Sequence, residues 1–277
     1  MATHAEPVRT LPATDLHLAA TSSGTNLVAG SPAVALVHGF AQTGACFGPF
    51  GAAIEAEHRV LRVDQAGHGG SVRHLEATLA EGAELLLQTV GDTVGDAVLV
   101  GYSMGARLAL QAVIAHPDRV AALVLIGGTA GIEDPDERTA RRAEDEARAR
   151  RLESIGLDAF LEEWLAMPMF AGLPEWARFD DERRSNTVEG LAESLRRAGT
   201  GSMAPLWGRL GALTCPVLCV TGERDERYGR LAERVVASAG GPARHVVIEG
   251  AGHAAHLERP EATADAVLRF LREVTAP

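Results

Sequence analysis

The sequence predicts an α/β domain: a mostly parallel central sheet flanked by helices, with a helical insertion in its second half. Three observations carry that prediction. Short apolar runs alternate with helical patterns, which is the signature of parallel strands covered on both faces. Several of these runs end in glycine-bearing turns, where loops leave the carboxyl ends of strands. One stretch, residues 131–205, is rich in Arg, Glu and Asp and breaks the alternation without supplying a strand. At 277 residues such a chain can remain one domain and bury a sizeable core.

The elements follow in order. Ala33–Val37 reads as a buried strand ending in His38-Gly39-Phe40. Arg59–Val63 is the next and leads into Asp64-Gln65-Ala66-Gly67-His68-Gly69. Ala97–Val100 runs straight into Gly101-Tyr102-Ser103-Met104-Gly105, and helical periodicity continues from Ala106 to Ala115 until Pro117 ends it. Ala121–Ile126, Val217–Thr221 and His245–Ile248 complete the core strands, and Pro260 opens a last helix that reaches Val274. Residues 1–130 and 206–277 are therefore assigned to the core. Residues 131–205 are assigned to a helical cap over the carboxyl ends of the strands, where ligands bind in such sheets. Most of Glu133–Glu153 reads as a solvated helical surface laced with i,i+4 ion pairs.

Composition excludes several chemistries. The net charge of -11 argues against a nucleic-acid or anionic-membrane partner, since both require a basic face. All 26 basic residues are arginine, so neither a Schiff-base lysine nor a phosphate-loop lysine is available. Cys46, Cys215 and Cys219 are too few and too scattered for a disulfide framework and read as small buried residues. The histidines lack metal-ligand spacing, and no nucleotide loop precedes a helix, so no cofactor is expected. Residues 1–12 lack the charged start and apolar run of a leader peptide, and no apolar stretch could span a bilayer. The expectation is a soluble, cytoplasmic protein, either a monomer or a homo-oligomer.

Gly101-Tyr102-Ser103-Met104-Gly105 places a serine between a strand and a helix, in the context a nucleophile elbow requires. The tight turn pushes the hydroxyl out over the sheet, and the helix start aims N–H groups at developing negative charge. A serine hydroxyl is weak until a base takes its proton. His253, in the loop after the last strand, is the candidate base, because this fold type orders its residues Ser, acid, His. His256 reads as a surface residue at a helix start, and His38 and His68 as structural or rim residues. Asp225, in Gly222-Glu223-Arg224-Asp225-Glu226, is the candidate carboxylate that fixes the imidazole; Glu223 and Glu226 are rivals. The backbone N–H groups of Met104 and Phe40 are the candidate oxyanion donors.

Taken together, His38-Gly39-Phe40, Gly67-His68-Gly69, the serine elbow and Gly250-Ala251-Gly252-His253 resemble the α/β-hydrolase superfamily over nearly the whole chain. A narrower resemblance is to the MenH family, the 2-succinyl-6-hydroxy-2,4-cyclohexadiene-1-carboxylate synthases of menaquinone biosynthesis. It is carried by GYSMGARLAL at 101–110, ERTARR at 137–142, WLAMPMF at 164–170, RSN at 184–186 and LRRAGTGSMAPLW at 195–207. The segment from Gly222 to Tyr228 also resembles that family's acid loop, with Arg227 where the family usually has Lys.

The resemblance implies a lyase. It removes pyruvate from 2-succinyl-5-enolpyruvyl-6-hydroxy-3-cyclohexene-1-carboxylate, with the His-primed serine as the base that abstracts a ring proton. Such a small substrate with several carboxylates calls for several arginines, because guanidinium matches carboxylate in a bidentate fork. By the motif match Arg107, Arg141 and Arg184 are assigned to those carboxylates, with Arg138 as the rival of Arg141, and Tyr102 and Trp164 line the pocket. The alternative reading is a serine esterase acting through an acyl-enzyme, which would use the same triad but has no need of the arginines. A ligand receptor on this fold would have lost part of the triad, and here all three residues are present.

Overall fold

The computed structural model describes residues 8–24 and 32–274; of the leader-peptide region considered above, residues 1–7 lie outside them. The chain forms strands β1 (Arg9–Leu11), β2 (Ala20–Gly24), β3 (Ala33–Val37), β4 (Arg59–Val63), β5 (Ala97–Tyr102), β6 (Val120–Ile126), β7 (Val217–Gly222) and β8 (Ala243–Ile248). They lie in one sheet in the order β1-β2-β4-β3-β5-β6-β7-β8. From β4 to β8 every pairing is parallel, whereas β1 and β2 add an antiparallel edge.

The helices are α1 (Gly48–Glu55), α2 (Leu79–Val94), α3 (Met104–Ala115), α4 (Pro135–Ile155), α5 (Leu157–Leu165), α6 (Asp180–Arg184), α7 (Val188–Ala198), α8 (Glu226–Ser238), α9 (Ala255–Glu258) and α10 (Pro260–Val274). Because side chains alternate along a strand, β3 divides its residues between two cores. Ala33, Ala35 and Val37 pack with residues of α2, α3 and α8. Val34 and Leu36 pack on the other face with residues of α1, α9 and α10. This two-sided burial accounts for the continuous apolar runs in the sequence. Among the described residues no helix is long and apolar enough to cross a membrane.

Between β6 and β7 the chain makes α4 to α7 and several short turns, with no strand. Asp134 caps α4, accepting from the N–H groups of Asp136 and Glu137 at 2.9 Å each. Ala149 and Leu152 of α4 pack with Leu191 and Leu195 of α7 and, across the boundary, with Phe40 and Met104. The outer side of α4 carries the expected ion pairs, for example Arg150 with Glu146 at 2.7 Å. The inner side of α4 is the part of this stretch that is not solvated. Asp145 is buried there and accepts from Arg141 and Arg148 and from the N–H of Gly201.

The register brings four loops to one end of the sheet. Val37 pairs with Gly101, setting the His38-Gly39-Phe40 loop beside the serine turn. Gly222 pairs with Ile248, which sets the loop bearing Asp225 beside the loop bearing His253.

Candidate active site

Ser103 sits at φ 52° and ψ -106°, immediately before α3. This conformation is costly for a residue with a Cβ, and close packing enforces it. A Cβ on Gly105 would run into the carbonyls of Val37 and His38, so only glycine lets the helix start this close to β3. The Ser103 N–H donates to the Ile126 carbonyl at 2.9 Å, fixing the turn against β6.

Asp225 Oδ2 lies 2.6 Å from Nδ1 of His253, and His253 Nε2 lies 3.1 Å from Ser103 Oγ. An aspartate can only accept, so Nδ1 carries the imidazole proton and Nε2 is free to accept from the hydroxyl. The structure thus brings Ser103, His253 and Asp225 into one hydrogen-bonded chain, with His253 buried. Glu258 of α9 braces the histidine loop: its carboxylate accepts from the N–H groups of Gly252 at 2.8 Å and Ala254 at 3.2 Å, the two residues flanking His253. The rivals have other partners. Glu223 accepts from Gly250 N–H at 3.0 Å, and the exposed Glu226 lies 3.5 Å from Arg230.

The other histidines near the site are buried and neutral. Desolvation pushes His38 down to about 4 and His68 down to about 3. His38 donates to the Gly39 carbonyl and accepts the Gln65 N–H, so its role is structural. His68 accepts the Ala41 N–H at 3.3 Å. The expectation that His256 is a surface residue is corrected: it is fully buried between Tyr102, Phe47 and Phe50, because α9 turns that side inward.

A cavity of about 340 Å³ opens above Ser103 and reaches into the insertion. Phe40, Tyr102, Met104, Arg107, Arg141 and Trp164 line it, together with the triad. Arg138 does not line it; it donates instead to the carbonyls of Ile132 and Glu133. Arg184 is not brought to the cavity either. It points outward, 2.7 Å from Asp158, with its side chain 46% exposed. Its neighbour Arg183 takes the inward position, because successive helical residues diverge by about 100°. Sequence reasoning also passed over Arg148, Phe170 and Tyr228 as wall residues. The Tyr228 ring lies against the His253 ring at a tilt, with 4.5 Å between centroids, and its position one turn after Asp225 was a usable signal.

The charges in the cavity are unevenly matched. Arg141 and Arg148 share Asp145. Arg107 is buried and donates only to the Ala198 carbonyl at 2.7 Å, with no carboxylate partner among the described residues. Desolvation lowers its guanidinium to about 10. A buried cation without a counterion is costly for the empty protein, and an anionic ligand would relieve that cost.

With this geometry in place, comparison with known proteins decides the kinship. Residues 34–266 match the alpha/beta hydrolase family. The putative 2-succinyl-6-hydroxy-2,4-cyclohexadiene-1-carboxylate synthase of Bacillus subtilis (strain 168) is 32% identical over 257 residues, covering 88% of this chain and 92% of that protein. The synthase of Salmonella paratyphi C (strain RKS4594) is 32% identical over 88% of this chain and 95% of its own length. The chain belongs to the 2-succinyl-6-hydroxy-2,4-cyclohexadiene-1-carboxylate synthase family. The solved structure of MenH from S. aureus superposes on it with a TM-score of 0.85 at 26% identity, covering 93% of this chain and 99% of that one. The family brings with it the α/β-hydrolase fold seen here.

Proposed function

We propose that this enzyme is a carbon–oxygen lyase that eliminates pyruvate from 2-succinyl-5-enolpyruvyl-6-hydroxy-3-cyclohexene-1-carboxylate. The product is 2-succinyl-6-hydroxy-2,4-cyclohexadiene-1-carboxylate, and the pathway is menaquinone biosynthesis. The family supports the reaction. The observation that carries its assignment to this site is Arg107, a buried, uncompensated guanidinium in the wall of the cavity above Ser103. A neutral ester gives no reason to keep a charge there, whereas a polycarboxylate does.

His253 Nε2 takes the Ser103 proton, and the alkoxide abstracts the ring C2 proton, which is acidified by the neighbouring succinyl ketone. Asp225 holds the tautomer and stabilises the imidazolium. Negative charge grows on the ketone oxygen, where the N–H groups of Phe40 and Met104 serve as donors. No backbone carbonyl takes the Phe40 N–H among the described turns and loops. As the C2–H bond breaks, C2=C3 forms, the ring double bond moves to C4=C5, and the C5–O bond releases the enolate of pyruvate; its protonation to pyruvate uses up the proton held by the His253 imidazolium and returns the base to its neutral form. No acyl-enzyme forms.

Arg107 and Arg141 are assigned to substrate carboxylates, with Tyr102 and Trp164 as pocket wall, and residues 131–205 act as the cap. Arg184, which faces solvent, is withdrawn from the set. The substrate is a small polyanion, and we place the reaction in the cytoplasm, in a monomer or a homo-oligomer.

Pyruvate release from the enolpyruvyl substrate, followed through a coupled dehydrogenase, tests this reading. Wild-type protein should turn over, and Ser103→Ala should lose several orders of magnitude in kcat. Absent pyruvate release with rapid hydrolysis of p-nitrophenyl esters would instead assign an esterase.

A further inference from the structure

Ala41, Ser103 and Phe179 are the non-glycine residues with left-handed φ among those described, at 56°, 52° and 51°. Each is costly for a residue with a Cβ and persists only where its surroundings enforce it. Ser103 is the elbow. Ala41 directly follows Phe40 in the loop after β3, and Phe179 immediately precedes α6 of the insertion. The buried side chain of Arg183, on that same α6, connects these last two.

Arg183 Nη1 donates to the Ala41 carbonyl at 2.8 Å, and its Nε donates to the Arg178 carbonyl at 2.6 Å. Its backbone N–H returns to the Phe179 carbonyl at 2.9 Å. The side chain is 1% exposed and has no carboxylate partner among the described residues. The Ala41 N–H is held from the core side by His68 Nε2, so both polar groups of the strained residue are occupied, one by the core and one by the insertion. Asn186, two residues past α6, donates to the Gln42 carbonyl at 3.4 Å and accepts the Gly69 N–H at 3.0 Å, tying the same loops. A buried guanidinium is an expensive way to fill space, since an apolar side chain of similar volume would cost less.

We propose that Arg183 is a positioning residue: its guanidinium holds Ala41 in the left-handed conformation and so sets the Phe40 N–H toward the developing oxyanion. This rests on the reading above that Phe40 supplies an oxyanion donor. It makes the donor geometry depend on the insertion, so that the insertion contributes to the rate of the reaction as well as to binding.

The test compares wild type, Arg183→Met, Arg183→Lys, Ala41→Gly and the Arg183→Met/Ala41→Gly double variant, each for kcat and KM of pyruvate release and for thermal midpoint. Glycine adopts positive φ without the Cβ penalty, so it replaces what the arginine enforces. Arg183→Met should lower kcat by at least about tenfold, the scale of a misaligned oxyanion donor, with KM nearly unchanged. Lysine should restore part of the loss through one bond to the Ala41 carbonyl. The double variant should turn over faster than Arg183→Met alone, which a purely structural or substrate-binding role does not predict. A raised KM with kcat retained would overturn the proposal and make Arg183 a carboxylate anchor. A double variant no faster than the single would overturn it too. If Arg183→Met does not fold, Arg183→Lys with and without Ala41→Gly makes the same comparison. If wild type releases no pyruvate, the functional reading fails on its own, and the variants are then compared on a p-nitrophenyl ester, whose hydrolysis uses the same donors.

Discussion

A single side chain sets the conflict between binding and stability in this cavity. Arg107 sits in the first turn of α3, buried, and answered only by the Ala198 carbonyl. Its guanidinium is lowered to about 10 by desolvation, so at neutral pH it is charged in both the folded and the unfolded chain. The folded state therefore bears the cost of that buried charge below pH 10, on the order of 3 kcal/mol, and escapes it only as the pH rises through 10 toward the unfolded value of 12.5. Arg107→Ala should accordingly lower kcat/KM by an amount worth about 2–4 kcal/mol, the scale of a lost charged contact in a desolvated site. Its urea midpoint should hold or rise. Equal kcat/KM for variant and wild type would remove the anion-pocket argument. A large loss of stability with activity retained per folded molecule would recast Arg107 as a structural residue.

At the scale of elements, a four-residue helix braces the proposed base. Glu258 at the end of α9 binds the N–H groups on both sides of His253, so the imidazole is oriented by α9 as well as by Asp225. Glu258→Ala should lower kcat by about tenfold or more with little change in KM, because it loosens the base without touching substrate. Glu258→Gln, which keeps one acceptor oxygen, should fall between. A KM effect exceeding the kcat effect would reject this assignment. Elements also mark where the sequence could be read. The parallel strands were legible because both faces of each are covered, and strand ends located Ser103, Asp225 and His253. β1 and β2 were not, since Arg-Thr-Leu and Ala-Thr-Ser-Ser-Gly carry no apolar period and are strands only by pairing, β2 with β4 and β1 with β2. Helix α3 begins at Met104, two residues before the apolar period shows it, because the elbow rather than the period starts it. In α6 a polar stretch with adjacent arginines has no period to say which faces inward; the left-handed Phe179 and the packing against the β3 loop choose Arg183. Asp145 escaped notice for a related reason, since a buried acid in a charged helix looks like any other.

The whole molecule combines buried neutral imidazoles with a net charge of -11, and this couples its stability to acid. His38, His68 and His256 are all fully buried, and desolvation drives them down to about 4, about 3 and about 3 respectively. In the unfolded chain each returns to about 6.5. Their folded values are depressed, so above pH 6.5 both states are neutral and the histidines leave stability unaffected. As pH falls below 6.5 the unfolded chain takes up protons that the folded one cannot, and stability is lost until the folded values are reached near 3 to 4. Three such groups remove about 6 kcal/mol between pH 7 and pH 5, a large share of the roughly 5–15 kcal/mol that holds a domain together. Urea midpoints at pH 7, 6 and 5 should therefore fall steeply, and a flat profile over that range would show that these rings are not held neutral. His256 isolates one third of the effect. Neither of its ring nitrogens has a hydrogen-bond partner among the described residues, and its neighbours are Phe47, Phe50 and Tyr102. His256→Phe thus leaves no orphaned partner and fits an aromatic surround. At pH 7 the variant should match or exceed wild type, and by pH 5 its advantage should grow by about 2 kcal/mol, because one of the three proton-binding sites of the unfolded state is gone. An advantage that stays constant with pH would place the acid sensitivity elsewhere in the molecule.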